Sequence, residues 1–255
     1  MESVLFKQEE NVGIITLNRP EVYNSFNIPM GVRMADILDQ CEADDEIRAI
    51  YITGNGKGFC AGEDLQEVTG DNIPGFDEIL DKTFNAILSR IRRIEKPIVC
   101  GVNGVAAGAG ANIALACDIT FALESVKFIQ AFTSIGLVPD SGGTKTLPQL
   151  VGMQRAAALM FTGDKVSAVD AERIGMIYKC AESLDEAMAM AKKLSTRPTK
   201  AIGLTKRLLN SASTNSFEQQ LAMEKDLQIE AANSHDYNEG VAAFLEKRKP
   251  EFKGK

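Results

Sequence analysis

Two glycine-rich segments, residues 54–65 (GNGKGFCAGEDL) and 101–112 (GVNGVAAGAGAN), each begin where a short run of apolar, β-branched residues stops. Residues 47–53 (IRAIYIT) and 97–102 (PIVCGV) read as buried strands. A chain that twice leaves a buried strand through glycine, and then resumes a helical spacing, is an α/β protein with functional capacity at its strand ends. Residues 12–17 (VGIITL), ended by Asn18-Arg19-Pro20, add an earlier strand and turn, and residues 118–122 a later strand. Helical spacing is expected over 28–42 and 76–94, and small residues after the second glycine segment also suit a helix.

From about Pro148 the character changes. Strands become scarce, and helical spacing dominates over 150–161, 168–174, 184–194, 199–211 and 217–232, followed by a basic tail, EKRKPEFKGK. No linker is long or polar enough to separate independent domains, so the chain reads as an α/β body followed by a helical region.

Composition narrows the chemistry. His235 is the only histidine and lies in a polar run, where a solvated surface residue is expected; a solvated histidine does not suit a Ser-His-Asp triad, and one alone cannot build a histidine-rich zinc site. No metal is expected. The five cysteines (Cys41, Cys60, Cys100, Cys117, Cys180) are odd in number and widely spaced. Cys100 and Cys117 read as small core residues of a reduced protein, and Cys60, in a glycine-rich loop, as a candidate accessible thiol. A net charge of −7 argues against a nucleic-acid partner. No apolar run reaches the ~18 residues of a membrane span, and the N-terminus resembles neither a signal nor a transit sequence. The expectation is a cytoplasmic protein with no membrane partner.

Glycine lets backbone N–H groups approach a ligand without an intervening side chain. Two such loops converging could donate two hydrogen bonds to one oxygen, which is what a thioester enolate requires. Tight turns and close helix packing would use the same glycines. The GAGA run does not complete a dinucleotide-binding pattern. In residues 128–147 (FIQAFTSIGLVPDSGGTKTL), Asp140 precedes Ser141-Gly142-Gly143. It is either a helix N-cap or turn residue, or a carboxylate at the edge of an apolar pocket whose pKa desolvation would raise. These residues alone leave both open.

Taken together, LNRPEVYNSFN, ITGNGKGFCAGEDL, KPIVCGVNGVAAGAGANIALACDI and IGLVPDSGGTKTLPQLVG resemble the crotonase, or enoyl-CoA hydratase/isomerase, superfamily in order and spacing. TGDKVSAVDAERIGMI and EGVAAFLEKRKPEF extend the likeness over nearly the whole chain. The resemblance implies a crotonase-type spiral of β-β-α units over residues 1–195. A helical C-terminal trimerisation region, 196–255, would pack on that core and on a neighbouring subunit, giving a homotrimer or a hexamer of two trimers. It implies an acyl-CoA thioester substrate with no further cofactor, coenzyme A being part of the substrate. By motif position the oxyanion-hole N–H groups fall on Glu63 and Ala109, the Glu63 side chain having no part in that role. Coenzyme A and acyl contacts fall on Asn24, Ser25, Phe26, Ala61, Gly62, Asp64, Leu65, Gly108, Asn112, Phe132 and Pro139, with help from the basic tail of this chain or a neighbour.

Where the family's hydratases carry two glutamates, this chain has Asn112 and Phe132. Neither can activate water or deliver its proton. Asp140 stands where hydratases commonly carry glycine and several isomerases of the family carry aspartate, so the resemblance implies an isomerase with Asp140 as acid/base. AAGAGANIALACDI, AFTSIGLVPDSGGT, KRLLNSASTN and DYNEGVAAFLEKR look like the branch that converts ring-1,2-epoxyphenylacetyl thioesters to oxepins in phenylacetate breakdown. That branch is also associated with 3-enoyl to 2-enoyl isomerisation. Alternatives are a fatty-acid Δ3,Δ2-enoyl-CoA isomerase, a hydratase, a dehalogenase or a thioester hydrolase, and, outside enzymes, an acyl-CoA-binding subunit. Glu124 and Lys127 read as solvated turn residues.

Overall fold

The computed structural model describes residues 2–66, 69 and 74–255. Its strands are sorted between two sheets by a simple rule. The large sheet takes β1 (Val4–Glu9), β2 (Val12–Leu17), β3 (Ala49–Gly54), β5 (Ile98–Val102), β7 (Ile119–Leu123) and β10 (Lys179–Ala181), adjacent in that order. The small sheet takes β4 (Gly58–Cys60), β6 (Val105–Ala107), β8 (Lys127–Ile129) and β9 (Lys165–Ser167). The chain thus passes from β3 to β4, β5 to β6 and β7 to β8, one strand per sheet in each turn. Neighbours are parallel apart from the β1–β2 hairpin and the β8–β9 pair. This is the expected spiral of β-β-α turns.

Both faces of the large sheet are covered, as a mainly parallel sheet requires. Ile15, Leu17, Ile50, Ile52, Ile98 and Cys100 belong to the main core with α1 (Ile28–Ala43), α3 (Phe84–Arg93) and α4 (Ala109–Ala116). Val12, Ile14, Tyr51, Val99 and Phe121 alternate onto the other face, where Ala187 and Ala191 of α8 (Asp185–Ser195) cover them. The side-chain period of two sends alternate residues of one strand into the two cores. α1 starts at the expected place because the Asn27 side chain accepts from Met30 N at 3.0 Å, with Pro29 in the first turn.

Several elements depart from the periodicity. The helix expected over 76–94 is two, α2 (Phe76–Lys82) and α3, broken at Thr83 with φ −113° and ψ −91°. The Thr83 hydroxyl donates to Ile79 O at 2.5 Å, and α1 packs so closely there that a Cβ on Gly31 would stand 2.7 Å from Thr83 Cα. The helix expected over 150–161 is likewise a pair, α5 (Gly143–Val151) and α6 (Met153–Thr162), divided at Gly152, whose φ of +80° no helix accommodates. α7 (Ala168–Arg173) follows β9.

The last helices are α9 (Thr199–Ala212), α10 (Phe217–Ala232) and α11 (His235–Glu246), the last not foreseen from its polar sequence. Ser234 caps α11 by accepting from Tyr237 N. His235 is half-exposed, with Nδ1 3.2 Å from Asp236 Oδ1. The basic tail is fastened to the protein. Lys253 N and Gly254 N each donate to the Asp236 carboxylate at 2.7 Å, and Arg48 donates to Phe252 O at 2.8 Å. α9 is joined to the body by Lys206, which donates to Asp118 Oδ2 and Ile91 O, both at 2.8 Å. Among the described residues no helix is long and apolar enough to cross a membrane.

Candidate active site

Each glycine-rich segment contains one short strand of the small sheet, β4 or β6, and these pair in parallel. Their carboxyl ends therefore lie side by side, and the chain leaves both toward one place. Beyond β4, Phe26 N donates to Gly62 O and Asp64 N donates to Phe26 O, each at 2.8 Å. Bonds to the residues on either side of Glu63 make it a parallel bridge partner of Phe26. In such a bridge the central residue directs its own N–H toward the opposite edge. Beyond β6, Gly108 adopts φ +52° and ψ −127°, a conformation closed to residues with a Cβ, and α4 starts at Ala109. As first residue of that helix, Ala109 has an N–H with no acceptor within it, at the positive end of the helix dipole. The loops touch. A Cβ on Gly62 would stand 3.2 Å from Ala107 O and 3.5 Å from Ala109 N.

Against this junction opens a cavity of about 200 Å³. Its floor is Ala61, Gly62, Glu63, Gly108 and Ala109, and its walls are Phe76, Ile79, Leu80 and Phe84 of α2 and α3 with Phe132, Ile135 and Leu137 of the crossing segment. Leu65 lies exposed at the mouth. Asp140 completes the lining. Burial pushes its carboxyl above the usual aspartate range, opposed by the Ser141 hydroxyl, which donates to Asp140 Oδ1 at 2.7 Å, and by its own N–H. A raised pKa on a carboxylate at an apolar wall suits a group that exchanges protons with substrate. A larger cavity, of about 960 Å³, lies between α3, α5 and α9 and contains none of the residues expected at the site.

The chain matches the enoyl-CoA hydratase/isomerase family model over residues 7–255. It belongs to the enoyl-CoA hydratase/isomerase family. It is 45% identical to the 1,2-epoxyphenylacetyl-CoA isomerase of Escherichia coli K12, with all of both chains covered. It is 39% identical to a probable enoyl-CoA hydratase of Rhodobacter capsulatus, covering 99% of this chain and 98% of that one. To the trans-2-decenoyl-[acyl-carrier-protein] isomerase of Streptococcus mutans it is 36% identical, covering 100% and 99%. Among solved structures, the enoyl-CoA hydratase of Polaromonas sp. JS666 superposes with a TM-score of 0.92 at 34% identity, covering 98% and 99%. The relatives of this family member thus include proteins named for both chemistries, hydration and isomerisation.

The cavity gathers Ala61, Gly62, Glu63, Leu65, Gly108, Ala109, Phe132 and Asp140 of the residues expected at the site. The others lie outside its lining. Asn24 is wholly buried; its Oδ1 accepts from Arg19 N and its Nδ2 donates to Asn55 O, Gly58 O and Phe59 O. Its side chain fastens a turn. The Ser25 hydroxyl donates to Val22 O, and Phe26 packs edge-on against Phe84 with centroids 5.7 Å apart. Asp64 pairs with Arg19 at 2.8 Å, steadying the loop that carries Glu63. Pro139 precedes the acid without lining the cavity, and Asn112, 1% exposed, sits behind it with both amide atoms bonded. Cys60 is buried, its thiol pushed up to about 12, and is no accessible nucleophile. The Glu63 side chain was given no role, yet it lines the cavity with buried carboxylate oxygens. The Ser141 hydroxyl was also missed; its signal was a hydroxyl residue directly after the candidate acid.

Proposed function

We propose that this family member is an acyl-CoA isomerase. Its expected reactions are ring-1,2-epoxyphenylacetyl-CoA to oxepin-CoA, 3-enoyl-CoA to 2-enoyl-CoA, or both. The N–H groups of Glu63 and Ala109 bind the thioester oxygen, and Asp140 moves the proton. In the double-bond shift, Asp140 takes a proton from the carbon α to the thioester. The electron pair delocalises onto the carbonyl oxygen as an enolate held by the two N–H groups. The same proton returns at the γ carbon, and the double bond enters conjugation.

The observation that carries this reading is the position of Asp140: a desolvated carboxylate on the wall of an apolar cavity whose floor is the two glycine loops. The positions of the hydratase glutamates hold a buried amide, Asn112, and a cavity-wall phenyl, Phe132. The likeness to the Escherichia coli isomerase supports the aryl epoxide as substrate. The trimeric or hexameric assembly, with residues 196–255 serving it, belongs to the same proposal. Exposed Phe244 and Leu245 of α11 and Phe217 and Ile229 of α10 supply apolar surface for it, and light scattering would test it.

The test is conjugated-thioester absorbance with a linear 3-enoyl-CoA, a 2-enoyl-CoA and the aryl epoxide thioester. Turnover of the 3-enoyl or epoxide substrate, abolished in Asp140→Asn, is expected. Glu63→Gln keeps the backbone N–H and should keep turnover. Rapid hydration of the 2-enoyl substrate surviving Asp140→Asn, or activity lost with Glu63→Gln and kept with Asp140→Asn, would overturn the reading. Coenzyme A thioester binding without turnover would favour the binding-subunit alternative.

A further inference from the structure

We propose that Asn112 and Gln130 are positioning residues, holding Asp140 in register with the N–H of Ala109. This rests on the reading of Asp140 as the acid/base. Asn112 Nδ2 donates to Asp140 O at 2.9 Å, and Gln130 Nε2 donates to Asn112 Oδ1 at 2.9 Å. Neither amide touches the cavity, and Gln130 is 2% exposed. Their direction is fixed. A carbonyl can only accept, so Asn112 turns its NH2 to Asp140 and its oxygen away, and Gln130 meets that oxygen with an NH2.

The pair corrects a local weakness. Asp140 enters a sharp turn in which Ser141 adopts φ +51°, a left-handed conformation that a residue with a Cβ disfavours. Within the turn, the Asp140 carbonyl accepts from Gly143 N at 2.9 Å. The Asn112 bond adds a second anchor from outside the turn, and it comes from α4. Ala109 and Asn112 are three residues apart on that helix, close to one turn and ~4.5 Å along its axis. One rigid element therefore sets both the oxyanion donor and the backbone position of the acid. Gly108 N donates to Ile129 O at 2.9 Å, tying the strand before Gln130 to the start of α4. Catalytic groups need placing within ~0.5 Å, which a turn alone does not guarantee.

Gln130 makes this arrangement at a cost to the fold. Its Oε1 is buried with no hydrogen-bond partner among the described residues. An apolar side chain of similar length would remove that cost. What it could not supply is the donor that orients Asn112.

Gln130→Met and Gln130→Glu separate positioning from packing. An ionised carboxylate at position 130 accepts instead of donating, so it draws the Asn112 NH2 away from Asp140 and turns Oδ1 toward the Asp140 carbonyl. Both folded variants should show kcat reduced about 10- to 100-fold with KM changed less than about threefold. In Gln130→Glu, the kcat deficit relative to wild type at the same pH should shrink as pH falls and the introduced carboxyl regains a proton to donate. A crystal structure of Gln130→Met should show the Asn112–Asp140 contact lengthened. Unchanged kcat in both folded variants, or an undisturbed Asp140 in that crystal structure, overturns the inference. If Asp140→Asn is inactive while Gln130→Met keeps full kcat, only this inference fails. Turnover surviving Asp140→Asn removes the underlying reading instead.

Discussion

Gly110 of α4 lies so close to Cys60 that an added Cβ would stand 2.3 Å from the Cys60 carbonyl oxygen and 2.7 Å from its Sγ. The contact joins the second glycine segment to the first, just before Ala61–Gly62, and so bears on the spacing of the Glu63 and Ala109 N–H groups, the proposed oxyanion donors. Gly110→Ala should force the segments apart. Overpacking of this kind costs ~1–3 kcal/mol, and each kcal/mol is worth roughly 2–4 °C in Tm for a domain of ~150–250 residues. The expected result is a Tm lowered by several degrees, with kcat falling at least tenfold because the donors separate. Calorimetry and steady-state kinetics on one preparation would check both. Unchanged kcat would show that the donors do not depend on this contact.

Asp140 should set the acid limb of the activity profile. Burial raises its pKa and the Ser141 hydroxyl lowers it, so the limb should lie above the ordinary aspartate range. Ser141→Ala removes the lowering bond, and the limb should move to still higher pH. A profile of kcat/KM against pH for both proteins checks the sign.

The same shift has a consequence for stability. A carboxyl whose folded pKa is raised contributes stability below its unfolded pKa, and that contribution is lost as pH rises through the folded value. At neutral pH ionised Asp140 therefore opposes folding. Asp140→Asn should raise Tm at pH 7 while abolishing turnover, and the gain should shrink as pH is lowered toward 4. A lower Tm at pH 7 would mean that Asp140 serves mainly as a structural turn residue.

The fold was legible where long elements carry a clear period. Residues 12–17 are β2 and 217–232 are α10 with the expected limits. The small sheet was not legible, because β4, β6, β8 and β9 have three residues each, too few to show alternation. Two of them lie inside the segments read only as loops. The break at Thr83 depends on contact with α1, which no local window contains. At the site, the converging loops and Asp140 could be read from motifs. The burial of Asn24 could not, since an asparagine in the polar pair Asn24-Ser25 looks alike whether it faces a ligand or fastens a turn. Gln130 carried a faint signal, one amide inside the apolar run FIQAF.

Lys206 is 6% exposed, and its ammonium bridges α9 to Asp118 and to the end of α3. Asp118 Oδ2 also accepts from Ile98 N at 2.8 Å, so the pair joins α9 to the start of β5. Lys206→Ala removes the nearer cation from Asp118, which keeps Arg92 at 3.9 Å and the Ile98 N–H, so the cost falls below the ~3–5 kcal/mol of a fully buried pair. Thermal unfolding should begin at markedly lower temperature, with α9 losing amide-exchange protection first. Equal protection of α9 in both proteins would mean that its apolar contacts hold it without the ion pair.

Arg19 holds the first glycine segment from the other side. Its guanidinium donates to Asp64 Oδ2 at 2.8 Å and to Ser25 O at 2.7 Å, so one planar group ties residues 25 and 64 together beside Glu63. Arg19→Lys keeps the charge, but a single ammonium lacks the fixed fork that spans both acceptors. Arg19→Ala also leaves Asp64 buried without its cation; Gln66 N at 3.2 Å remains as a donor. The expected order of kcat is wild type, then Arg19→Lys, then Arg19→Ala, with Tm falling in the same order. A surface ion pair would be weakened by salt, whereas this one is largely shielded from solvent. The stability difference between wild type and Arg19→Ala should therefore persist at 1 M salt, by the ~3 Å screening length expected there. If high salt erases that difference, the pair is solvent-screened and the loop that carries the Glu63 N–H is held by its backbone bonds to Phe26 instead.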